Sequence, residues 1–186
     1  PYGDAAIAAM SVVNRYSMLV MCVGLGIGQG FQPVASFNYQ AGKFRRVKQG
    51  LLFTMGAGFA LVLIMALPGL LFPEFIVGLF QEEPLVREIG GYALRWASVG
   101  VLFLPLSVPV NMLYQSIRKA AVSSVLSMMR SGLMLIPTLI VTTSLWQLRG
   151  VQISQPIADI ATGLVCVPFI LHFLVSTPND KCEELS

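Results

Sequence analysis

Residues 16–42 contain no charged side chain, and neither do residues 49–73. A helix needs about 20 apolar residues to cross the hydrocarbon of a bilayer. An extended segment there would leave its backbone groups without partners, so crossing segments are helical by default. These two runs restrict the chain to membrane-crossing helices. In all, five apolar segments are expected to span, at about 5–37, 50–72, 93–117, 120–145 and 151–175. Composition agrees with that reading. Only 11% of residues are charged, whereas a soluble domain carries about 25%. The expected fold class is all-α, a polytopic membrane helix bundle. One lobe covers residues 1–176 and a tail covers 177–186. The start, Pro1-Tyr2-Gly3-Asp4, has no initiator Met and no basic leader, so the chain reads as the interior of a longer sequence.

Charge between the segments sets an orientation. Lys43, Arg45, Arg46 and Lys48 follow the first segment, and Arg118 and Lys119 follow the third. Between the second and third lie Glu74, Glu82, Glu83 and Glu88 with Arg87 and Arg95; between the fourth and fifth there is only Arg149. The positive-inside rule places the two basic turns in the cytoplasm, and the C-terminal tail with them. The basic cluster between two spans reads as a topological signal that also attracts anionic lipid, and not as a nucleic-acid surface. The stretch "PEFIVGLF" reads as a short interfacial helix on the outer side, with Pro84 opening the next helix.

Glycine stands at Gly24, Gly26, Gly28 and Gly30. This is not the G-x-G-x-x-G of a dinucleotide loop, and no acidic partner follows. On a helix, Gly24 and Gly28 share one face while Gly26 and Gly30 share another. Each pair is a G-x-x-x-G of the kind that lets helices approach closely in lipid, so either neighbours stand on two sides or the helix flexes there. Pro33 removes a backbone donor and predicts a kink or break.

The run "GIGQGFQPVASFNYQAGKFRRVKQG" resembles the signature of the multidrug and toxic compound extrusion (MATE) family, in the second half of its twelve-helix chain. Further stretches are similar in the same order: "YGDAAIAAMSVVNR" to the beginning of the eighth helix, "FPEFIVGLFQEEPLVREIGGYALRW" to the link from the ninth to the tenth, "RSGLMLIP" to the eleventh and "PIADIATGLV" to the twelfth. The resemblance implies half of a two-lobe twelve-helix transporter fold, holding helices eight to twelve, with the N-terminal lobe of the same protein as its partner. It implies secondary efflux of drugs or other organic cations, coupled to H+ or Na+ as antiport, with no organic cofactor. The implied location is the plasma membrane (the inner membrane in a bacterium), multi-pass, with a cytoplasmic C-terminus. Two departures stand out. The family often has Gly where Gln40 stands and within the turn read here as "YQSIRKA". Some branches also carry a cation-binding acid in the tenth helix, but residues 96–117 contain neither Asp nor Glu.

Several residues are candidates for function. Asp159 is the acid inside the fifth segment; it reads either as a cation or proton site or as a structural carboxylate near the interface. Arg130 lies inside the fourth segment, either snorkelling and bracing helix ends or touching substrate. Met18, Met21, Gln29, Asn111 and Tyr114 are candidates for the wall of a substrate cavity, because such a cavity combines apolar and adaptable side chains with a few polar groups. Arg15 and the lone His172 read as interface anchors. Cys22, Cys166 and Cys182 have no metal-ligand spacing, and no metal site is expected. Intramembrane catalysis is not expected either, since no nucleophile–base set or carboxylate pair falls within the segments. Two other readings remain: a flippase of lipid-linked saccharides, which calls for basic residues in the cavity, and a non-transporting remnant if the natural chain is only this long.

Overall fold

The computed structural model of the chain describes residues 3–80 and 83–177, with side chains except at residues 120, 130, 131 and 145–149. It is a helical bundle with no strand among the described residues. The elements are α1 (Gly3–Gln40), α2 (Phe44–Leu71), α3 (Pro73–Gly78), α4 (Pro84–Val101), α5 (Leu104–Ser116), α6 (Ala120–Met128), a π-helical turn (Met129–Leu133) and α7 (Leu135–Ser176). Three stretches are long and apolar enough to cross a membrane: α1, α2 and residues Gly150–Ser176 of α7. The pair α4 and α5 would make a fourth if its bent halves form one span.

Helix α1 is the hub. Its buried residues Ala6, Ala9, Val13, Val20, Gly24, Gly28, Phe31 and Ala35 recur mostly at steps of three or four, the spacing of one helical face. That face meets α2, α4 and α5. The expected break at Pro33 is absent: α1 continues to Gln40. Proline costs one ladder bond here, but Phe31 and Ala35 are both packed in the core on either side of it and hold the helical path. The helix ends in a left-handed cap. Gly42 adopts φ +73; its N–H donates to the Tyr39 carbonyl at 3.1 Å and the Lys43 N–H donates to the Asn38 carbonyl at 2.9 Å. This is a Schellman turn, which favours Gly at the left-handed position.

Helix α2 buries Val47, Leu51, Thr54, Gly58, Val62, Ala66 and Gly69 along one stripe. Phe53, Phe59, Leu61, Ile64 and Leu71 are exposed on its other side. That inversion of the water-soluble pattern is what a lipid-facing helix requires. Between α4 and α5 the chain bends by 44°. Pro105 sits four residues after Val101 and within the first turn of α5, where its ring and missing N–H prevent the α4 ladder from running on. Near its start α7 is not one straight rod. Residues 142 and 150 would be about 12 Å apart along a straight helix. Yet a side chain added at Gly150 would overlap the Thr142 carbonyl and come within 2.8 Å of the Thr143 nitrogen. The chain therefore turns back on itself between them.

Packing forms three layers along the bundle. Ala9, Val12, Val77, Val86, Ala93 and Leu94 fill one end. Val20, Val62, Ala66, Val101 and Leu104 fill the middle. Phe31, Leu51, Val110, Leu113, Tyr114, Ile170 and Phe173 belong to the cluster at the other end. Lipid is as apolar as these side chains, so the layers hold by close van der Waals packing more than by exclusion of water. The two ends differ in charge. One carries Glu74 and Glu88 around the α3–α4 junction. At the other, Lys119 of the α5–α6 turn, Phe44 after the α1–α2 turn and Thr177 at the close of α7 line a common cavity.

Candidate functional site

A cavity of about 390 Å³ opens between α1, α4 and α7. That volume lies within the roughly 300–1,000 Å³ typical of ligand pockets. Helix α1 contributes Asn14, Ser17, Met18 and Met21, and α7 contributes Gln152, Gln155 and Asp159. The first set is spaced at i, i+3, i+4, i+7 and the second at i, i+3, i+7, so each is one helical face. Val101 and Leu104, at the α4–α5 bend, close the back with apolar surface. Asp159 is only 7% exposed. Its carboxylate is the acid among the residues lining this cavity, and none of them is Lys or Arg. In a medium of low dielectric such a site attracts a cation far more strongly than it would in water. Gln152 donates to the Ile89 carbonyl at 3.3 Å. It also lines an outer pocket of about 300 Å³ that contains Glu74, Glu88 and Arg95. Gln152 thus lines both the cavity and this charged pocket.

A second polar feature crosses three helices. Gln32 of α1 donates through Nε2 to Gln115 Oε1 at 3.3 Å. Gln115 Nε2 donates to Asn111 Oδ1 at 3.1 Å, and Asn111 Nδ2 donates to Ser127 Oγ of α6 at 2.7 Å. Ser116 adds a bond from its hydroxyl to the Gln32 carbonyl at 3.1 Å. The ladder is uncharged. Asn111 and Ser127 also line a small cavity of about 60 Å³ with Thr162 and Cys166.

The sequence candidates therefore separate. Met18, Met21 and Asp159 come together in the large cavity. Asn111 lies in the ladder and the small cavity. Tyr114 lies in neither: it is 3% exposed, packs edge-on against Phe169 and donates its hydroxyl to the Phe169 carbonyl at 3.2 Å. Gln29 is exposed on α1, on the face that carries Gly26, Gly30 and Pro33. Of the glycines, Gly24 and Gly28 pack on Leu104 and Val108, whereas nothing lies within 4 Å of a Cβ added at Gly26 or Gly30. Neighbours on both faces were one of two expectations; within this chain they stand on one. The Arg130 side chain and the tail beyond Thr177 lie outside the described residues. Asn14, Ser17, Gln152 and Gln155 were missed. For Gln152 and Gln155 the signal was the i, i+3, i+7 recurrence of polar groups they make with Asp159; Asn14 and Ser17 offered only an i, i+3 polar pair.

Residues 1–141 match the family model described as MatE. The chain belongs to the MatE family. Its relatives include the protein named "Multidrug export protein MepA" in Staphylococcus aureus, 22% identical over 186 residues. The protein of the same name in Staphylococcus saprophyticus is 19% identical. In both cases the match covers 99% of this chain and 40% of the relative. The fold is also that of two solved MatE-type transporters. An outward-facing structure of a multidrug resistance MATE family transporter of the MOP superfamily matches with TM-score 0.83 at 20% identity, over 92% of this chain and 40% of the other. An inward-facing structure matches with TM-score 0.81 at 18% identity, over 94% and 43%. The MatE chain described here thus spans about two fifths of the length of these relatives, and its family and apolar helices make it a multi-pass membrane protein.

Proposed function

We propose that this MatE chain forms the C-terminal lobe of a secondary antiporter that exports amphipathic organic cations or drugs in exchange for H+ or Na+ across the plasma membrane. The observation that carries this reading is the Asp159 cavity: a buried carboxylate, flanking amides and three methionines, Met10, Met18 and Met21, between α1 and α7. The acid supplies counter-charge, the amides orient, and Met18 and Met21 adapt to apolar surface of varied shape. A buried ionisable group in a membrane-spanning segment is a functional candidate by its cost alone. The exposed stripe of α1, with Gly26, Gln29, Gly30 and Pro33 on one face, has the small and polar character of a helix interface and not of a lipid contact. It is the face offered to the N-terminal lobe. The end bearing Lys119 and the α1–α2 turn is the cytosolic one, and the C-terminus lies with it. A flippase of phosphorylated saccharide carriers is disfavoured, because the cavity lining offers no basic residue.

The test is dye and drug efflux from cells expressing the full-length gene in a host stripped of its own exporters. Expression is expected to lower ethidium retention and raise drug tolerance. Asp159→Asn is expected to weaken transport about 10-fold or more, the value of a lost charge-assisted contact, with the melting temperature of the purified protein unchanged. A fall in stability matching the fall in transport would assign Asp159 to structure. No change in either would remove it from the mechanism.

A further inference from the structure

The end of the lobe opposite the α3–α4 junction holds a cavity of about 170 Å³ that the transport reading leaves unused. Three regions of the chain, two turns and a helix end, supply most of its lining. Tyr39 and Phe44 flank the α1–α2 turn, Lys119 comes from the α5–α6 turn, and His172, Phe173 and Ser176 come from the close of α7. The volume falls below the roughly 300 Å³ from which drug-sized pockets begin, so it suits a fragment of a larger molecule.

The two turns are the same device. After α5, Arg118 adopts φ +60; its N–H bonds Gln115 at 3.1 Å and the Lys119 N–H bonds Tyr114 at 3.0 Å. That is the Schellman pattern already seen at Gly42 and Lys43. A lysine therefore follows the left-handed residue in both turns. At the second turn the left-handed residue is itself an arginine, in a conformation that disfavours side chains other than Gly. Around Lys119 the hydrogen-bonding groups are specific. Ser176 Oγ and His172 Nδ1 are 3.1 Å apart, which leaves Nε2 of the ring for a ligand. Among the described residues, none that lines the cavity is Asp or Glu. The Tyr39 and Phe44 rings meet edge-to-face with centroids 5.2 Å apart. An aromatic pair at a helix end next to basic residues is the composition of a headgroup-level belt. Basic pockets between transmembrane helices at such an interface recognise anionic headgroups.

We propose that this cavity seats the phosphate of an anionic phospholipid. Lys119 supplies the counter-charge, His172 and Ser176 supply hydrogen bonds, and Phe173 with the Tyr39–Phe44 pair contacts the glycerol end of the lipid. The test titrates the detergent-solubilised full-length protein with short-chain phosphatidylglycerol and, separately, with phosphatidylcholine of the same chain length. Native mass spectrometry reads the bound lipid. Phosphatidylglycerol is expected to bind in preference. Lys119→Gln is expected to weaken it about fivefold, the effect of one interfacial cation, and Lys119→Arg to retain it. Arg46→Gln removes the same charge from an exposed position outside the cavity and is expected to leave binding unchanged. Equal binding of the two lipids would overturn the proposal, as would equal loss in the Arg46 and Lys119 variants. Displacement of the lipid by millimolar inorganic phosphate with undiminished phosphate binding in lipid-free micelles would overturn the lipid assignment in favour of a soluble anion. If Lys119→Gln lowers the melting temperature, His172→Gln provides the independent variant. It is expected to reduce the preference, and an unchanged preference there would count against the site.

Discussion

Gly28 and Gly26 lie two residues apart on α1 and meet opposite surroundings. A Cβ at Gly28 would fall 2.6 Å from Val108 Cγ1 and 3.3 Å from Met112 Cγ, while one at Gly26 would meet nothing within 4 Å. Gly28→Ala therefore has to push α1 away from α5, an overpacking cost of about 1–3 kcal/mol. Gly26→Ala gains helix propensity and strains nothing in this lobe. The melting temperature of the purified protein is expected to fall for the first and to hold for the second; equal loss in both would mean that the two glycine faces are equally packed. The sequence made both faces legible as small but left open which was covered, because periodicity orients residues relative to each other and not toward a particular neighbour. The same gap explains Tyr114 and Asn111. They lie three residues apart on α5, yet one turns into the core and the other into a ladder on α1 and α6. Asp159 was legible because a carboxylate in an apolar run is costly wherever it points. The amides beside it cost less and left a weaker mark.

At the scale of an element, α2 carries its own irregularity where it meets α1. Pro68 interrupts the ladder near the end of α2, and the Tyr16 hydroxyl enters the gap. It accepts from the Gly69 N–H at 3.2 Å and donates to the Met65 carbonyl. In a regular helix those two backbone groups would bond each other, so the phenol is inserted into the ladder. Beside it the Ser98 hydroxyl, 1% exposed, has no hydrogen-bond partner. Gly69 leaves room for both, since a Cβ there would overlap Ser98 Oγ and approach the Tyr16 hydroxyl to 2.8 Å. Tyr16→Phe lets the backbone bond close again and is expected to cost about 1 kcal/mol, the net value of one hydrogen bond. Gly69→Ala displaces two helices and is expected to cost more. Thermal unfolding of the two variants checks the order, and an unchanged melting temperature in both would show that Tyr16 does not occupy the gap. None of this was legible in advance: a tyrosine and a proline 52 positions apart announce nothing until the fold brings them together. The bend at Pro105 differs, because a proline four residues after Val101 carries its own local reason for a kink.

For the whole molecule, the all-α membrane class was legible because long uncharged runs admit no other crossing structure. What the lobe does as a body depends on packing. Its three core layers tie α1 to α2, α4 and α5, and α7 to α4 and α5. An internal rearrangement would have to break close contacts such as Gly28 on Val108. The exposed stripe of α1 has no such ties within this chain. The fold also matches an outward-facing and an inward-facing transporter nearly equally, as expected of a unit whose fold is the same in both. Packed cores switch between discrete arrangements and do not deform continuously, so the transport proposed above assigns the motion to the loosest boundary, the α1 stripe. Spin labels at Leu19→Cys and Leu171→Cys occupy exposed positions on α1 and α7. With the native cysteines, Cys22, Cys166 and Cys182 among them, replaced, their distance distribution in the full-length protein is expected to stay the same in conditions that favour the outward- and the inward-facing state. A label at Leu19 paired with one in the N-terminal half is expected to move. A shift of the first pair would relocate the moving boundary to the 44° bend between α4 and α5. The Asp159 cavity, whose back wall is that bend, would then change shape during the cycle instead of being carried through it intact.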